Sequence, residues 1–142
     1  MKKLAVAAIG VLVLVCWSSL LIAAEPTVKI ASKEGLGSYL VNKMGWTLYW
    51  FTKDSPGKSA CQGACLEKWP TFYRKSITVP AGLKAGDFGT LTRLDGTKQT
   101  TFRGYPLYYW ANDLGAGDTK GQGVGGAWFV IDPANFPPKA VL

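Results

Sequence analysis

The chain has 142 residues and a net charge of +7, with 48% apolar and 18% charged residues. This length corresponds to one domain, and six each of Trp, Tyr and Phe are too many for a disordered chain. The absence of histidine excludes a Ser-His-Asp triad, a Cys-His dyad, histidine-held haem and the common histidine-containing zinc sites.

The first 24 residues have the pattern of an export signal. Lys2 and Lys3 precede an uncharged apolar run that ends in small residues just before Glu25. We therefore predict a signal peptide over residues 1–24 and a single domain over residues 25–142. The predicted location is the periplasm, the cell surface or the medium, where disulfides persist.

Two alternatives to a cleaved signal follow from the same segment. The apolar run is long for a signal peptide, so residues 4–24 could stay in the membrane as an uncleaved tether. Lipidation at Cys16 is disfavoured, because Val15 stands where a small residue is needed and the apolar run continues beyond the cysteine.

The charge of the exported part gives a weak indication of its partners. Without residues 1–24, 14 basic and nine acidic residues remain, and no basic run occurs among them. We predict no nucleic-acid binding and expect an envelope protein or a cell-surface polymer as partner. The sequence predicts no cofactor.

Short segments rich in β-branched and aromatic residues follow the signal, separated by turns. A short helix is predicted at residues 59–68, a connector at 71–86 and a proline-rich tail at 133–142. The dipeptide Asp95-Gly96 predicts a hairpin with a type I′ turn. Strands are predicted at residues 27–32, 38–42, 46–52, 88–94, 97–102, 105–110 and 127–132.

An internal repeat appears when the chain is shifted by 59 residues along itself. Residues 45–51 (GWTLYWF) then align with residues 104–110 (GYPLYYW). Without a gap, Asp54 aligns with Asp113 and Trp69 with Trp128. This agreement predicts two related copies, at about residues 37–70 and 96–132, that share one core around a pseudo-twofold axis.

The repeated strand is aromatic on both faces. One face carries Trp46, Leu48 and Trp50, and the other carries Thr47, Tyr49 and Phe51, with similar residues in the second copy. Either a second layer covers both faces, or one face presents an aromatic strip to a ligand. The candidate ligand-binding residues of such a strip are Tyr49, Phe51, Tyr108 and Trp110.

These motifs resemble a family of small exported bacterial proteins described as a secreted repeat of unknown function, whose members are often predicted lipoproteins. The resemblance rests on residues 45–54 and 104–113, on Cys61-Gln62-Gly63-Ala64-Cys65 followed by Trp69-Pro70, and on the glycine-rich residues 117–126 before Trp128. It covers nearly all of residues 37–132. It implies export and a tandem repeat, and it implies no particular activity.

Cys61 and Cys65 are the two cysteines of the exported part. In an oxidising compartment such a close pair is most simply a disulfide. Its closed loop is so short that thiol redox exchange and binding of copper(I) by two thiolates remain alternatives. The Cys-x3-Cys spacing differs from the Cys-x2-Cys of oxidoreductases, which favours the structural disulfide.

The carboxylates after the aromatic strands have two interpretations. Asp54, Asp113 and Asp118 each stand at a turn, where an aspartate most often accepts backbone N–H groups. A weaker alternative is a calcium site formed by Asp113, Asp118 and loop carbonyls. The glycine-rich loop over residues 115–126 lacks the context of a nucleotide-binding loop, so its glycines are expected to let the backbone pass close to the aromatic layer.

Together these patterns predict a mainly β protein with one short helix, built from two tandem pseudo-symmetric β-hairpin repeats. The function favoured by the sequence is a non-enzymatic envelope module that binds a partner. The alternative is a thiol-based redox or electron-transfer accessory that uses Cys61 and Cys65.

Overall fold

The structure, a computed structural model, describes residues 15–139. Most of the predicted signal, residues 1–14, and the last three residues of the predicted tail lie outside the described residues. Residues 15–26 have no regular secondary structure. No helix within residues 15–139 is both long enough and apolar enough to cross a membrane.

The described chain is mainly β, as the sequence predicts, and contains one short α-helix. The helix α1 spans Ala64–Lys68, and two single 3-10 turns occupy Ala85–Asp87 and Val124–Gly126. The strands are β1 (Val28–Lys33), β2 (Gly37–Asn42), β3 (Tyr49–Phe51), β4 (Phe88–Thr92), β5 (Lys98–Phe102), β6 (Tyr105–Pro106) and β7 (Trp128–Val130).

Three small antiparallel sheets organise these strands. The first is the β1–β2 hairpin, the second pairs β3 with β7, and the third has the order β4–β5–β6. In the second sheet, Tyr49 pairs with Val130 and Phe51 with Trp128. Because β3 belongs to the first repeat and β7 to the second, the repeats are joined through a shared sheet.

Two local predictions differ from the structure. A type I′ turn needs positive φ at both Asp95 and Gly96, but only Gly96 has it (φ 82°). The Asp95 carboxylate accepts hydrogen bonds from the N–H and hydroxyl of Thr97, at 2.9 and 2.6 Å, which stabilises a longer hairpin loop. The hairpin is confirmed and the turn type is wrong.

The helix is also shorter than predicted. Regular α-helix begins only at Ala64, because Gly63 has φ 55°, outside the right-handed helical region. Before it, the N–H of Ala60 is bound by the carboxylate of Asp54 at 2.6 Å, so this segment is a capped loop that leads into one helical turn.

The two faces of the repeated strand enter two different apolar clusters. The first cluster consists of Val28, Leu40, Leu48, Phe72, Phe102, Leu107, Ile131 and Phe136. The second consists of Tyr49, Cys61, Trp69, Tyr108 and Trp128. Both faces therefore contribute to the buried core, which explains why both of them carry aromatic residues.

Candidate functional site

The centre of the molecule is a direct pairing of the two repeats. The backbone N–H of Tyr49 donates to the carbonyl of Tyr108 at 2.9 Å, and the N–H of Tyr108 donates to the carbonyl of Tyr49 at 3.0 Å. These residues are equivalent under the 59-residue shift. A pair of equivalent residues that bind each other reciprocally lies on the pseudo-twofold axis predicted from the sequence.

The side chains of these tyrosines cross between the repeats. The Tyr49 hydroxyl donates to Asp113 at 2.7 Å, and the Tyr108 hydroxyl donates to Asp54 at 2.8 Å. All four residues are buried. Burial is the main cause that raises the pKa of each tyrosine well above its usual value, so both hydroxyls stay protonated. Each tyrosine–aspartate pair ties one repeat to the other.

A column of four aromatic rings runs beside these pairs. Trp69 and Trp128, also equivalent under the shift, stack at the centre with ring centroids 3.8 Å apart and an interplanar angle of 2°. Phe51 stacks on the outer face of Trp128 at 4.1 Å, and Trp110 lies on Trp69 at 4.2 Å, tilted by 32°. The column therefore also obeys the pseudo-twofold axis.

The disulfide closes one side of this cluster. Cys61 and Cys65 are bonded, their Cα atoms lie 5.4 Å apart, and Cys61 is fully buried. Closing so short a loop is worth only about 2 kcal/mol through the entropy of the unfolded chain. Packing of both cysteines in the aromatic cluster agrees with a structural bond, and the redox alternative stays a prediction.

A buried cation lies next to the disulfide, and the sequence analysis did not identify it. Arg93 is only 4% exposed; it donates to the carbonyl of Cys61, to Ser59 at 3.0 Å and to Gln99 at 2.5 Å. These bonds hold the loop before α1 against β5. A lone arginine beside a hairpin turn gives no sequence signal of burial.

The candidate calcium ligands serve the fold through hydrogen bonds. The second oxygen of Asp113 accepts the N–H of Lys120 at 2.9 Å, and Asp118 accepts the N–H of Leu114 at 2.8 Å. No group of three acidic, cysteine or histidine side chains able to hold a metal occurs among residues 15–139. The calcium site stays a prediction without support from this geometry.

The glycine-rich loop passes against the aromatic layer, as expected. A Cβ atom on Gly121 would lie 2.7 Å from the Tyr49 ring and 3.1 Å from the Cβ of Trp110, closer than packed atoms approach. This proximity lets the Gly121 N–H donate to the Tyr49 hydroxyl at 3.1 Å. The loop therefore completes the hydrogen bonds of the Tyr49–Asp113 pair.

The four predicted ligand-binding residues lie in different environments. Tyr49 and Tyr108 have no exposed surface and are engaged in the crossing pairs, so neither offers a surface to a ligand. Phe51 and Trp110 are half-buried at the two ends of the aromatic column. Of the two, Trp110 lines an open groove, so it remains a candidate ligand-binding residue.

This groove, which we call the aromatic groove, has a volume of about 410 Å³. Met44, which is 72% exposed, stands at its mouth. Its lining residues are Asn42, Met44, Trp46, Pro70, Tyr109, Trp110, Ala111 and Asp113. Sequence reasoning missed Trp46 and Tyr109, because strand alternation placed both on the face opposite to the candidate ligand-binding residues.

The polar side chains that line the aromatic groove are those of Asn42, Tyr109 and Asp113, besides the indole of Trp110. The Tyr109 hydroxyl accepts a hydrogen bond from the Asn42 side-chain amide at 3.0 Å, which leaves its own hydrogen free to donate. Within residues 15–139, the indole nitrogen of Trp110 has no hydrogen-bond partner, and it is buried. The groove thus combines flat apolar walls with one free hydrogen-bond donor, the Tyr109 hydroxyl.

The family comparison agrees with this two-copy architecture. A family described as a secreted repeat of unknown function matches twice, at residues 31–72 and 89–132. The chain belongs to this family. Each match contains one copy of the aromatic strand, its aspartate and the following tryptophan.

Membership of the secreted-repeat family supports a location in the envelope or outside the cell. It does not distinguish the periplasm from the cell surface, and it assigns no activity. Neither the curated proteins nor the solved structures contain a match to the chain.

Proposed function

We propose that this secreted-repeat protein is a non-enzymatic binding module that takes a flat ring of an envelope protein or cell-surface polymer into the aromatic groove. The observation that carries the proposal is the groove itself, about 410 Å³ between Trp46, Tyr109 and Trp110. A binding site of this kind is concave, mostly apolar, and carries a few oriented polar groups.

The remaining chemistry of the molecule supports a binding role over catalysis. The sequence has no histidine, and the buried carboxylates of Asp54 and Asp113 are each bound to a tyrosine hydroxyl and to a backbone N–H. Such carboxylates are committed to the fold. By contrast, the hydrogen of the Tyr109 hydroxyl has no acceptor within the described chain, which fits a ligand that supplies one.

Binding of 4-fluorobenzamide tests this proposal, because the compound combines one ring with one carbonyl acceptor. We expect its ¹⁹F signal to broaden with the wild-type protein. Met44→Asp places a charge at the mouth of the groove without disturbing the core, so it is expected to weaken binding by about tenfold.

Leu94→Asp is the matched control, because Leu94 is 93% exposed and does not line the aromatic groove. It is expected to bind the compound as the wild type does. An unbroadened ¹⁹F signal with the wild type, or equal binding by Met44→Asp, would overturn the proposal.

A further inference from the structure

The pseudo-twofold axis gives the aromatic groove a counterpart, and the chain itself fills that counterpart. Phe136, in the C-terminal segment, packs edge-on against Trp50 with ring centroids 5.1 Å apart and against Tyr105 at 5.3 Å. Its carbonyl accepts a hydrogen bond from the Arg103 side chain at 2.6 Å. Phe136 is only 6% exposed, so it is a built-in occupant of this position.

The residues that hold Phe136 have equivalents in the aromatic groove. Under the 59-residue shift, Trp50 corresponds to Tyr109 and Tyr105 to Trp46, and both of these line the open groove. Thr52 and Phe129, which line the space beside Phe136, correspond to the groove residues Ala111 and Pro70. These four equivalent pairs occupy one position of each repeat.

The first repeat does not supply a ring of its own to the groove. The position equivalent to Phe136 is Ile77, which lies beside Phe88 and packs against the first apolar cluster. The chain there turns away to bond with the segment before β1, where the N–H of Thr27 donates to the carbonyl of Thr78 at 2.9 Å. The aromatic groove is therefore the equivalent, in the other repeat, of the position that Phe136 fills, and Ile77 does not fill it.

The hydrogen-bonding groups of the aromatic groove indicate which polar groups a ligand carries next to its ring. Tyr109 offers a donor, so an acceptor on the ligand can pair with it. A proline has a carbonyl but no N–H, so each proline that follows the aromatic residue adds an acceptor without a backbone donor. The built-in occupant has this composition, since Phe136 is followed by Pro137 and Pro138.

Resting on the proposed function, we propose that the partner is an exported protein that inserts an aromatic–proline segment into the aromatic groove. The ring would lie between Trp46 and Tyr109, as Phe136 lies between Tyr105 and Trp50. The carbonyls that follow would accept from the Tyr109 hydroxyl.

Competition against 4-fluorobenzamide tests this inference on the full chain. The competitor is an end-blocked peptide with the sequence of residues 134–139 (ANFPPK). We expect the peptide to displace the ring compound, and the same peptide with alanine in place of phenylalanine to bind about tenfold more weakly. Met44→Asp should weaken peptide binding, and Leu94→Asp should leave it unchanged.

The outcomes separate this inference from the function on which it rests. If the ring compound binds and the peptide fails to displace it, the aromatic–proline partner is wrong while the binding groove stands. Displacement by N-acetylglucosamine trimer but not by the peptide would likewise overturn a protein partner in favour of a polymer. Peptide binding that Met44→Asp does not weaken would place the peptide elsewhere and overturn the inference. Failure of the ring compound itself would overturn the proposed function.

Discussion

Trp69→Ala is expected to lower the free energy of unfolding by about 3–5 kcal/mol, the usual cost of truncating a buried tryptophan. Trp69 is 3% exposed and stacks between Trp128 and Trp110, with Tyr49 edge-on at 5.5 Å. The alanine would leave a cavity on the pseudo-twofold axis, where both repeats contribute walls. Urea unfolding followed by far-ultraviolet circular dichroism measures the loss.

Phe51→Ala provides the comparison, since Phe51 is a half-buried ring at the end of the same column. It is expected to cost less than half as much as Trp69→Ala. If Trp69→Ala does not fold, Trp69→Phe keeps a ring in place, and a double-mutant cycle with Trp128→Phe should give a coupling of about 0.5–1.5 kcal/mol. Equal losses of unfolding free energy for Trp69→Ala and Phe51→Ala would show that the column is not the centre of the fold.

Asp113→Asn is expected to lower the free energy of unfolding by about 2–3 kcal/mol, because one of two buried acceptor oxygens becomes an NH2 donor. One oxygen of Asp113 accepts from Tyr49 and the other from the N–H of Lys120, while the Tyr49 hydroxyl already accepts from Gly121. In either orientation, the asparagine NH2 group therefore faces another donor.

Asp54→Asn should cost no more than about 1 kcal/mol, although Asp54 is the equivalent residue. The asparagine oxygen can keep the N–H of Ala60, and its NH2 group can donate to Tyr108. The Tyr108 hydroxyl can then turn its hydrogen to Ser59, whose oxygen lies 2.6 Å away. Equal losses for the two variants, measured by urea unfolding, would contradict this asymmetry.

The loss of stability caused by Asp54→Asn should depend on pH, because Asp54 is buried. Burial raises the pKa of Asp54, against the opposing hydrogen bonds of Ala60 and Tyr108. A carboxyl whose pKa is raised on folding stabilises the fold at low pH, and this contribution is lost as the pH rises through its folded pKa. The cost of Asp54→Asn relative to wild type should therefore be larger below about pH 4 than at neutral pH.

Much of the core could be predicted from the 59-residue shift. Equivalent aromatic residues on an axis must meet each other, and the Tyr49–Tyr108 and Trp69–Trp128 pairs do so. The alternation of residues 46–51 placed aromatic residues on both faces without showing that each face enters its own cluster. Five of the seven predicted strands are longer than the observed ones, because aromatic content marks burial as well as strand pairing.

The aromatic groove could not be predicted in the same way. It exists because Phe136 fills one of two equivalent positions and Ile77 does not fill the other, and both residues lie in irregular segments without periodicity. Strand alternation placed Trp46 on the face opposite to the candidate ligand-binding residues, although it lines the groove with the exposed Met44. The difference depends on the path of the chain after each repeat, which a local pattern does not contain.

Of the two equivalent aromatic positions, one is open to a ligand and the other is occupied by Phe136. The assigned indole N–H signals of the ¹⁵N-labelled wild-type protein, titrated with 4-fluorobenzamide, test this difference most directly. The signals of Trp46 and Trp110 should shift with the compound, and that of Trp50 should not, because Phe136 already occupies the position of the ring beside it. A shift of Trp50 with Trp46 and Trp110 unmoved would contradict the claim.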